Sequence, residues 1–500
     1  MKRGKRIVGL YRILLGALLF TGQFAQAQDL DATLVWQAQG TGNRSGFSSP
    51  VIADIDGDLS NGKEIVAASI NGTLSAFGAD GVLRWEVTMP AAKCTSGNSN
   101  IHSSPSVGAI YGDGKPYVVI GYGNIKKRCE GGVMAIDGAT GAEAWRFSTM
   151  NYAKKEKFFA FLHTVFSSPA LADTDGDGKM EIGFGSFDRS VYLLNHDGSV
   201  RWYYQAADTV WSTPTFANVD TTPELEMIVA TDITQNLRLK PATSNGGNLY
   251  AFRTKANPKK VYRFRDKKAF LWMRPMEQVL FSSPKVADII PGNPGLEIAI
   301  NSGCFFPERT TQKVGRWTRV ISAKSGKILR THKIEACSSS SPVLADVNND
   351  GAADIFVTVN GAKQIGGDGL SRLRAFDGAT GAELWNIVPK FNNKNYSFGG
   401  NFISPKITSV LNDSTLQVVV PVHAGIGIYD AQTGEERNTC SDTEGCVLGS
   451  SLKAADIFLN SAAVDDIDGD SIMDIVASGK STQGKLGVYR WNVVTPTTVE

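Results

Sequence analysis

The stretch that decides the fold is FSSPALADTDGDGKMEIGFGS, Phe166 to Ser186. A Ser-Ser-Pro marker leads into a short apolar run. Three aspartates follow at alternate positions, Asp173, Asp175 and Asp177, and an apolar, β-rich run then starts at Glu181. The unit returns along the chain. It reads FSSPVIADIDGD from Phe47, HSSPSVGAIYGD from His102, WSTPTFANVDTT from Trp211 and FSSPKVADIIPG from Phe281. It continues as SSSPVLADVNND from Ser339, FISPKITSVLND from Phe402 and NSAAVDDIDGD from Asn460, which makes eight copies.

Each copy continues into an apolar run such as EIVAAS or DIFVTV, then a second such run, as in GTLSAFGAD or SRLRAFDGATG. An Asp-Gly or Thr-Gly turn follows. The closing run often carries a tryptophan: GVLRWEV, GAEAWRF, GSVRWYY, GAELWNI. Four short strands per unit, repeated eight times, predict the blades of a β-propeller, in which neighbouring blades bury each other's faces. The eighth copy stops at its third strand, KLGVYRWNVV, whereas ATLVWQAQG near the N-terminus is a fourth strand without a blade. Pairing that strand (32–38) with the last blade removes both free edges. The reading is therefore all-β: one eight-bladed propeller over residues 28–500, with four antiparallel strands per blade. Length alone would suggest about three domains. Trp36, Trp85, Trp145, Trp202 and Trp385 share one position and read as packing between blades.

The first 27 residues have a basic start, an apolar run from Ile7 to Phe20 and Ala25-Gln26-Ala27, the three parts of a cleaved secretory signal peptide. The expectation is a secreted or periplasmic protein with no membrane span after cleavage and, lacking a lipobox cysteine, no lipid anchor. The chain has 51 Lys+Arg and 49 Asp+Glu; removing Lys2, Arg3, Lys5, Arg6 and Arg12 leaves 46 against 49, a net −3. That balance gives no support to nucleic-acid binding. Six cysteines remain, Cys94, Cys129, Cys304, Cys337, Cys440 and Cys446. No CxxC occurs, so disulfides are expected rather than a zinc or thioredoxin-like site.

The aspartates repel one another unless a cation sits among them. Oxygens at positions 1, 3, 5 and 9 plus a backbone carbonyl at 7 can wrap a hard cation, and such a set suits Ca²⁺. Blade three offers Asp173, Asp175, Asp177, the Lys179 carbonyl and Glu181. Blade six offers Asp346, Asn348, Asp350, the Ala352 carbonyl and Asp354. Blade eight offers Asp466, Asp468, Asp470, the Ile472 carbonyl and Asp474, with Ser471 in place of a glycine. Blade one offers Asp54, Asp56, Asp58 and, after a two-residue insertion, Glu64. Three to four calcium ions are expected. A polar turn that needs no metal is the competing reading.

These units resemble the FG-GAP (VCBS) repeats of bacterial secreted propellers, related to the integrin α-subunit head. The turns IDGATGAEAW, FDGATGAELW and YDAQTGEE also resemble those of quinoprotein propellers. The first resemblance implies that the DxDxDG loops bind calcium; neither fixes a function.

Strand alternation puts the acidic loops and Asp-Gly turns on one rim and the longer connections on the other, where function is expected. Sequential cysteine pairing, 94–129, 304–337 and 440–446, would stiffen those connections. Bases and aromatics mix there: Lys154, Lys155, Lys157, Phe158 and Phe159; Phe270, Trp272 and Arg274; Phe305, Phe306 and Arg309. Such a rim suits an acidic polysaccharide or an envelope or extracellular protein. The first functional reading is a non-catalytic recognition or scaffold module. The alternative is a polysaccharide lyase, with His102, His163, Tyr152 and Arg274 as weak catalytic candidates. A quinone-dependent dehydrogenase is a third, disfavoured by the absence of adjacent cysteines.

Overall fold

The computed structural model describes residues 31–91, 99–158, 160, 162–233, 245–255, 261–264, 266–303, 315–361, 367–391, 394–395, 402–410, 415–422, 425–437, 458–481 and 483–494. The strands form a β-propeller of eight sheets. Blade one runs Val51–Ala53, Glu64–Ala68, Thr73–Phe77 and Leu83–Thr88, each antiparallel to the next. The inner strands of the others are Ser106–Gly108, Ala170–Ala172, Thr215–Ala217, Lys285–Ala287, Val343–Ala345, Lys406–Thr408 and Ala463–Asp465. Blade three gains a short parallel strand, Val261–Tyr262. Blade seven shows three strands among the described residues. In blade eight the strand Asp31–Asn43 lies antiparallel to Lys485–Val494, with Trp36 opposite Arg490.

Burial follows position in the blade. Second strands such as Glu64–Ala68 and Tyr117–Tyr122 are buried at every residue, because strands flank both edges and neighbouring blades cover both faces. Outer strands such as Leu83–Thr88 face water on their free side. The core is a set of seams between blades. One joins Val66 and Leu74 to Val118 and Met134; another joins Ile65 and Phe77 of blade one to Val476 and Val488 of blade eight.

Two polar devices tie the ring. The first is the tryptophan position. The indole N–H of Trp36, Trp85, Trp145, Trp202 and Trp385 donates to a carbonyl in the next blade's turn: Ala79, Gly138, His196, Thr254 and Ala431. Trp36 also covers Gly81, where a Cβ would stand 2.8 Å from the indole and φ is +76°. Only glycine fits that surface.

The second device is the Ser-Ser-Pro marker. Its first serine holds the blade's own second strand, as where Gly121 N–H donates to Ser103 and Gly185 N–H to Ser167. Its second serine or threonine accepts the backbone N–H of its counterpart in a neighbouring blade. Ser49 donates to Ser104, Ser104 to Ser168, Ser168 to Thr213 and Thr213 to Ser283. Ser283 donates to Ser341, Ser341 to Ser404, Ser404 to Ser461, and Ser461 back to Ser49, all at 2.9–3.1 Å. The circuit closes around the axis, through an inner edge that would otherwise leave backbone donors unpaired.

Candidate metal centre and loop-rich rim

The acidic loops join first to second strands. The acid that opens the second strand has a job independent of any ion. One of its oxygens accepts the backbone N–H at the end of the first strand. Glu64 accepts from Ile55, Glu181 from Thr174, Glu226 from Val219, Glu297 from Ile289, Asp354 from Val347 and Asp474 from Ile467, at 2.9–3.1 Å. Gln417 does the same for Val410 in blade seven, with an amide. This pin occurs in blades four, five and seven, which lack the alternating carboxylates. The sequence pattern that reveals it is an acid or amide at the start of the second strand.

Carboxylates converge in three loops. In Asp54, Asp56 and Glu64, in Asp173, Asp175 and Glu181, and in Asp466, Asp468 and Asp474, one oxygen of each residue lies within 4.8 Å of the others. Asp58, Asp177 and Asp470 are outside these trios. Their Oδ1 atoms accept from the backbone N–H of Ser60, Lys179 and Ile472. Blade six forms no such trio among the described residues. There the Asn348 amide donates to Asp350 and Asp377, and Asp354 accepts the Gly378 N–H. Ser471 reaches φ +69°, where blades three and six use Gly178 and Gly351 at +83° and +86°.

The three trios differ in what balances their charge. In blade three Arg201 reaches Asp175 at 2.5 Å and Glu181 at 3.3 Å. In blade eight Arg490, 2% exposed, binds Asp468 at 2.6 Å and both oxygens of Asp474 at 2.7 and 2.9 Å. Burial works against the Arg490 guanidinium, but Asp474 and Asp468 outweigh it and hold its pKa above the ordinary value. The blade-one trio makes no ion pair among the described residues. Glu64 is 2% exposed and its Oε1 has no hydrogen-bond partner among the described residues. Burial, and beyond it the charges of Asp56 and Asp54, push the Glu64 carboxyl above the usual range. An uncompensated, desolvated carboxylate is costly, and a divalent cation would relieve it.

Several ligand contacts expected on the other rim prove to be packing, and Trp272 and Arg274 lie instead against the Ala323 to Gly326 turn, on the rim of the acidic loops. The stretch from Arg265 to Leu280 is expected from the sequence as a loop, but it contains the fourth strand of blade four, Phe270–Met276. Phe270 belongs to the core. Trp272 is a further member of the tryptophan set: its indole N–H donates to Ala323, and it covers Gly326. Arg274 donates to the Gly326 carbonyl. Tyr152 and Phe158 pack on Tyr203. Lys154, Lys155 and Lys157 are exposed, the first two on the helix Thr149–Lys155 and the third just beyond it. Phe159, Phe305, Phe306 and Arg309 lie outside the described residues.

His102 and His163 are buried, and burial pushes both down to about 4, so both are neutral at ordinary pH. His102 stacks on Phe166 at the axis; His163 sits under the loop before blade three, with neither ring nitrogen partnered. His102 is thus at the axis and Arg274 at the blade-five turn, whereas His163 lies against the helix that carries Tyr152, its carbonyl accepting from Thr149. Cys129 and Cys337 are buried and neither is a free thiol. Cys94, Cys304, Cys440 and Cys446 lie outside the described residues. No helix among the described residues is long and apolar enough to cross a membrane.

No family profile matches the chain, and no curated protein matches it. Solved structures do. One is BamB from Moraxella catarrhalis, at 14% identity and a TM-score of 0.49, covering 92% of this chain and 97% of that one. Another is the exotype rhamnogalacturonan lyase YesX, at 13% identity and 0.48, covering 91% and 75%. A third is the quinohemoprotein alcohol dehydrogenase of Comamonas testosteroni, at 13% and 0.42, covering 94% and 78%.

Proposed function

We propose that this is a secreted or periplasmic calcium-binding propeller of the FG-GAP type. It acts as a non-catalytic recognition or scaffold module, with its ligand on the rim opposite the acidic loops. The observation that carries the cation is the buried, unpartnered Oε1 of Glu64 beside Asp54 and Asp56. Oxygen-only ligands at a short-spaced loop suit calcium over a transition metal. The ion's role is structural: it neutralises the trio and fixes the loop that leans on blade eight, where Lys63 N–H donates to Ile467. Blades three and eight bind more weakly, because Arg201 and Arg490 must first be displaced.

The recognition half is supported by the exposed lysines of 154–157. It is also supported by the packing of Tyr152 on Tyr203, the Arg274 hydrogen bond to Gly326 and the burial of both histidines. An acidic polysaccharide or an acidic face of an envelope protein fits that rim. The cysteines are proposed to pair in sequence order.

The test is retention on immobilised mature protein, with calcium and then with chelator, from a panel of acidic and neutral polysaccharides and from envelope extract. Retention of an acidic glycan or one defined protein, lowered by changing Lys154, Lys155 and Lys157 to Ala, is expected. Release of unsaturated uronate products would overturn the non-catalytic reading in favour of the lyase.

A further inference from the structure

The axis of the propeller is built in tiers. Two residues before the hydroxyl circuit stand Phe47, His102, Phe166, Trp211, Phe281 and Phe402. Their rings meet across the axis: Phe166 and Phe402 at 5.4 Å, Phe47 and Phe166 at 5.8 Å, Trp211 and Phe402 at 6.2 Å. This aromatic layer plugs the end nearer the long loops. The hydroxyl circuit comes next, and a cavity of about 160 Å³ is lined by both tiers.

The hydroxyls have a defined polarity. Each accepts a backbone N–H, so a lone pair is spent. Among the described residues none of the eight donates to a protein acceptor. Each keeps one proton and one lone pair, and the protons are free to turn into the cavity toward an anion.

Two residues further along the inner strands the axial positions are Val51, Ser106, Ala170, Thr215, Val343 and Ala463, with Lys285 and Lys406 as the two ionisable groups. Ser106 and Thr215 donate to the Pro169 and Pro284 carbonyls. Neither lysine makes an ion pair among the described residues. Both are exposed, since water reaches them along the channel, yet protein walls surround them on the remaining sides. With the plug at one end, that water comes from the rim of the acidic loops.

We propose that the axial channel is an anion site: a small halide, oxyanion or carboxylate enters past Lys285 and Lys406 and is held by the hydroxyl circuit beneath the aromatic plug. The cavity has the volume of about five waters, enough for a small oxyanion with part of its hydration shell. Charge and donors point the same way, and low-dielectric walls strengthen both. Desolvation by the channel walls, and for Lys285 the charge of Lys406, hold both ammoniums below the ordinary lysine range although their ends remain exposed, a penalty a bound anion reverses. The site is independent of the rim ligand and of the acidic loops.

The test is thermal melting of the mature protein in bromide, selenate or acetate, against gluconate at matched ionic strength. The expected result is a saturable rise with at least one probe, which also separates halide from oxyanion from carboxylate. The Lys285→Gln/Lys406→Gln double variant should weaken the apparent affinity at least about tenfold. An identical rise in both proteins overturns the proposal. Should the variant fail to fold, anomalous diffraction from wild-type crystals soaked in bromide or selenate decides. A peak at the hydroxyl circuit supports the site, and an axis without one overturns it.

Discussion

Blades one and eight are neighbours and carry the same five letters, DIDGD, at 54–58 and 466–470. Their loops nevertheless solve the same electrostatic problem in different ways. In blade eight the third strand supplies Arg490, which occupies both oxygens of Asp474 and one of Asp468. The matching residue in blade one is Ala76: it pairs with Val66 as Arg490 pairs with Val476. Blade one is left with a trio of acids, an orphaned oxygen and no internal cation. Whether an acidic loop needs a metal is thus decided one strand away from the loop itself.

The sharpest way to break this comparison is to make blade eight resemble blade one. Arg490→Ala leaves Asp474, fully buried, with its charge unpaired. Removing one partner of a buried pair costs about 3–5 kcal/mol. In chelator the variant should unfold at correspondingly lower denaturant, and calcium should restore part of the loss. A variant equally impaired with and without calcium would mean that the loop cannot become a metal site.

The converse change removes the demand in blade one. Glu64→Gln keeps the pin to Ile55, as Gln417 shows an amide can, and removes the buried charge. In chelator its stability should match or exceed wild type. The calcium-dependent gain, about 2.7 kcal/mol at a hundredfold excess over Kd, should shrink to what blades three and eight contribute. Chemical denaturation with and without calcium measures both.

A smaller effect lies in pH. The Glu64 carboxyl is raised in the folded state, so the native protein keeps that proton longer than the unfolded chain does. Its contribution to metal-free stability is therefore greatest below the unfolded value and is lost as pH rises through the folded one. Asp188, pushed up to about 6 by burial, slopes the same way. The readout is accordingly the difference between wild type and Glu64→Gln, which should widen across that window in chelator and reverse in sign in saturating calcium, where wild type alone gains the blade-one ion.

The smallest effect concerns what the blades share. Ser49→Ala deprives the Ser461 N–H of its acceptor, and Ser341→Ala does the same to Ser283. Each should cost about 1 kcal/mol, with or without calcium. A calcium-dependent cost for Ser49→Ala alone would tie the axis to the blade-one loop.

Much of this architecture was legible in the sequence because it repeats. Ser-Ser-Pro or a near variant, the apolar second strand and the turn before tryptophan mark most blades by local chemistry, and the orphan ATLVWQAQG pointed to the partner it has. What stayed hidden depends on partners distant in sequence. The marker serines could be counted, but their circuit links residues up to 412 positions apart. Trp272 lacks the Asp-Gly turn that introduces its fellows, so its strand read as a loop. Glu181 fitted the ligand spacing and Glu64 departed from it by two residues, yet Arg201 stands beside Glu181 and no such cation beside Glu64 among the described residues. Blade one, with its two-residue insertion, departed most from the spacing template. The insertion leaves the trio intact and forms the 3₁₀ turn Leu59–Asn61; two residues beyond it Lys63 pairs with Asp465 at 2.8 Å.

The central claim is that blade one holds the tightest cation site, and calcium titration calorimetry of metal-free wild type beside Glu64→Gln tests it most directly. The account predicts one tight event in wild type, lost in the variant, with weaker binding preserved in both. An unchanged tight event in Glu64→Gln would contradict it and move the site to a loop that already holds an arginine.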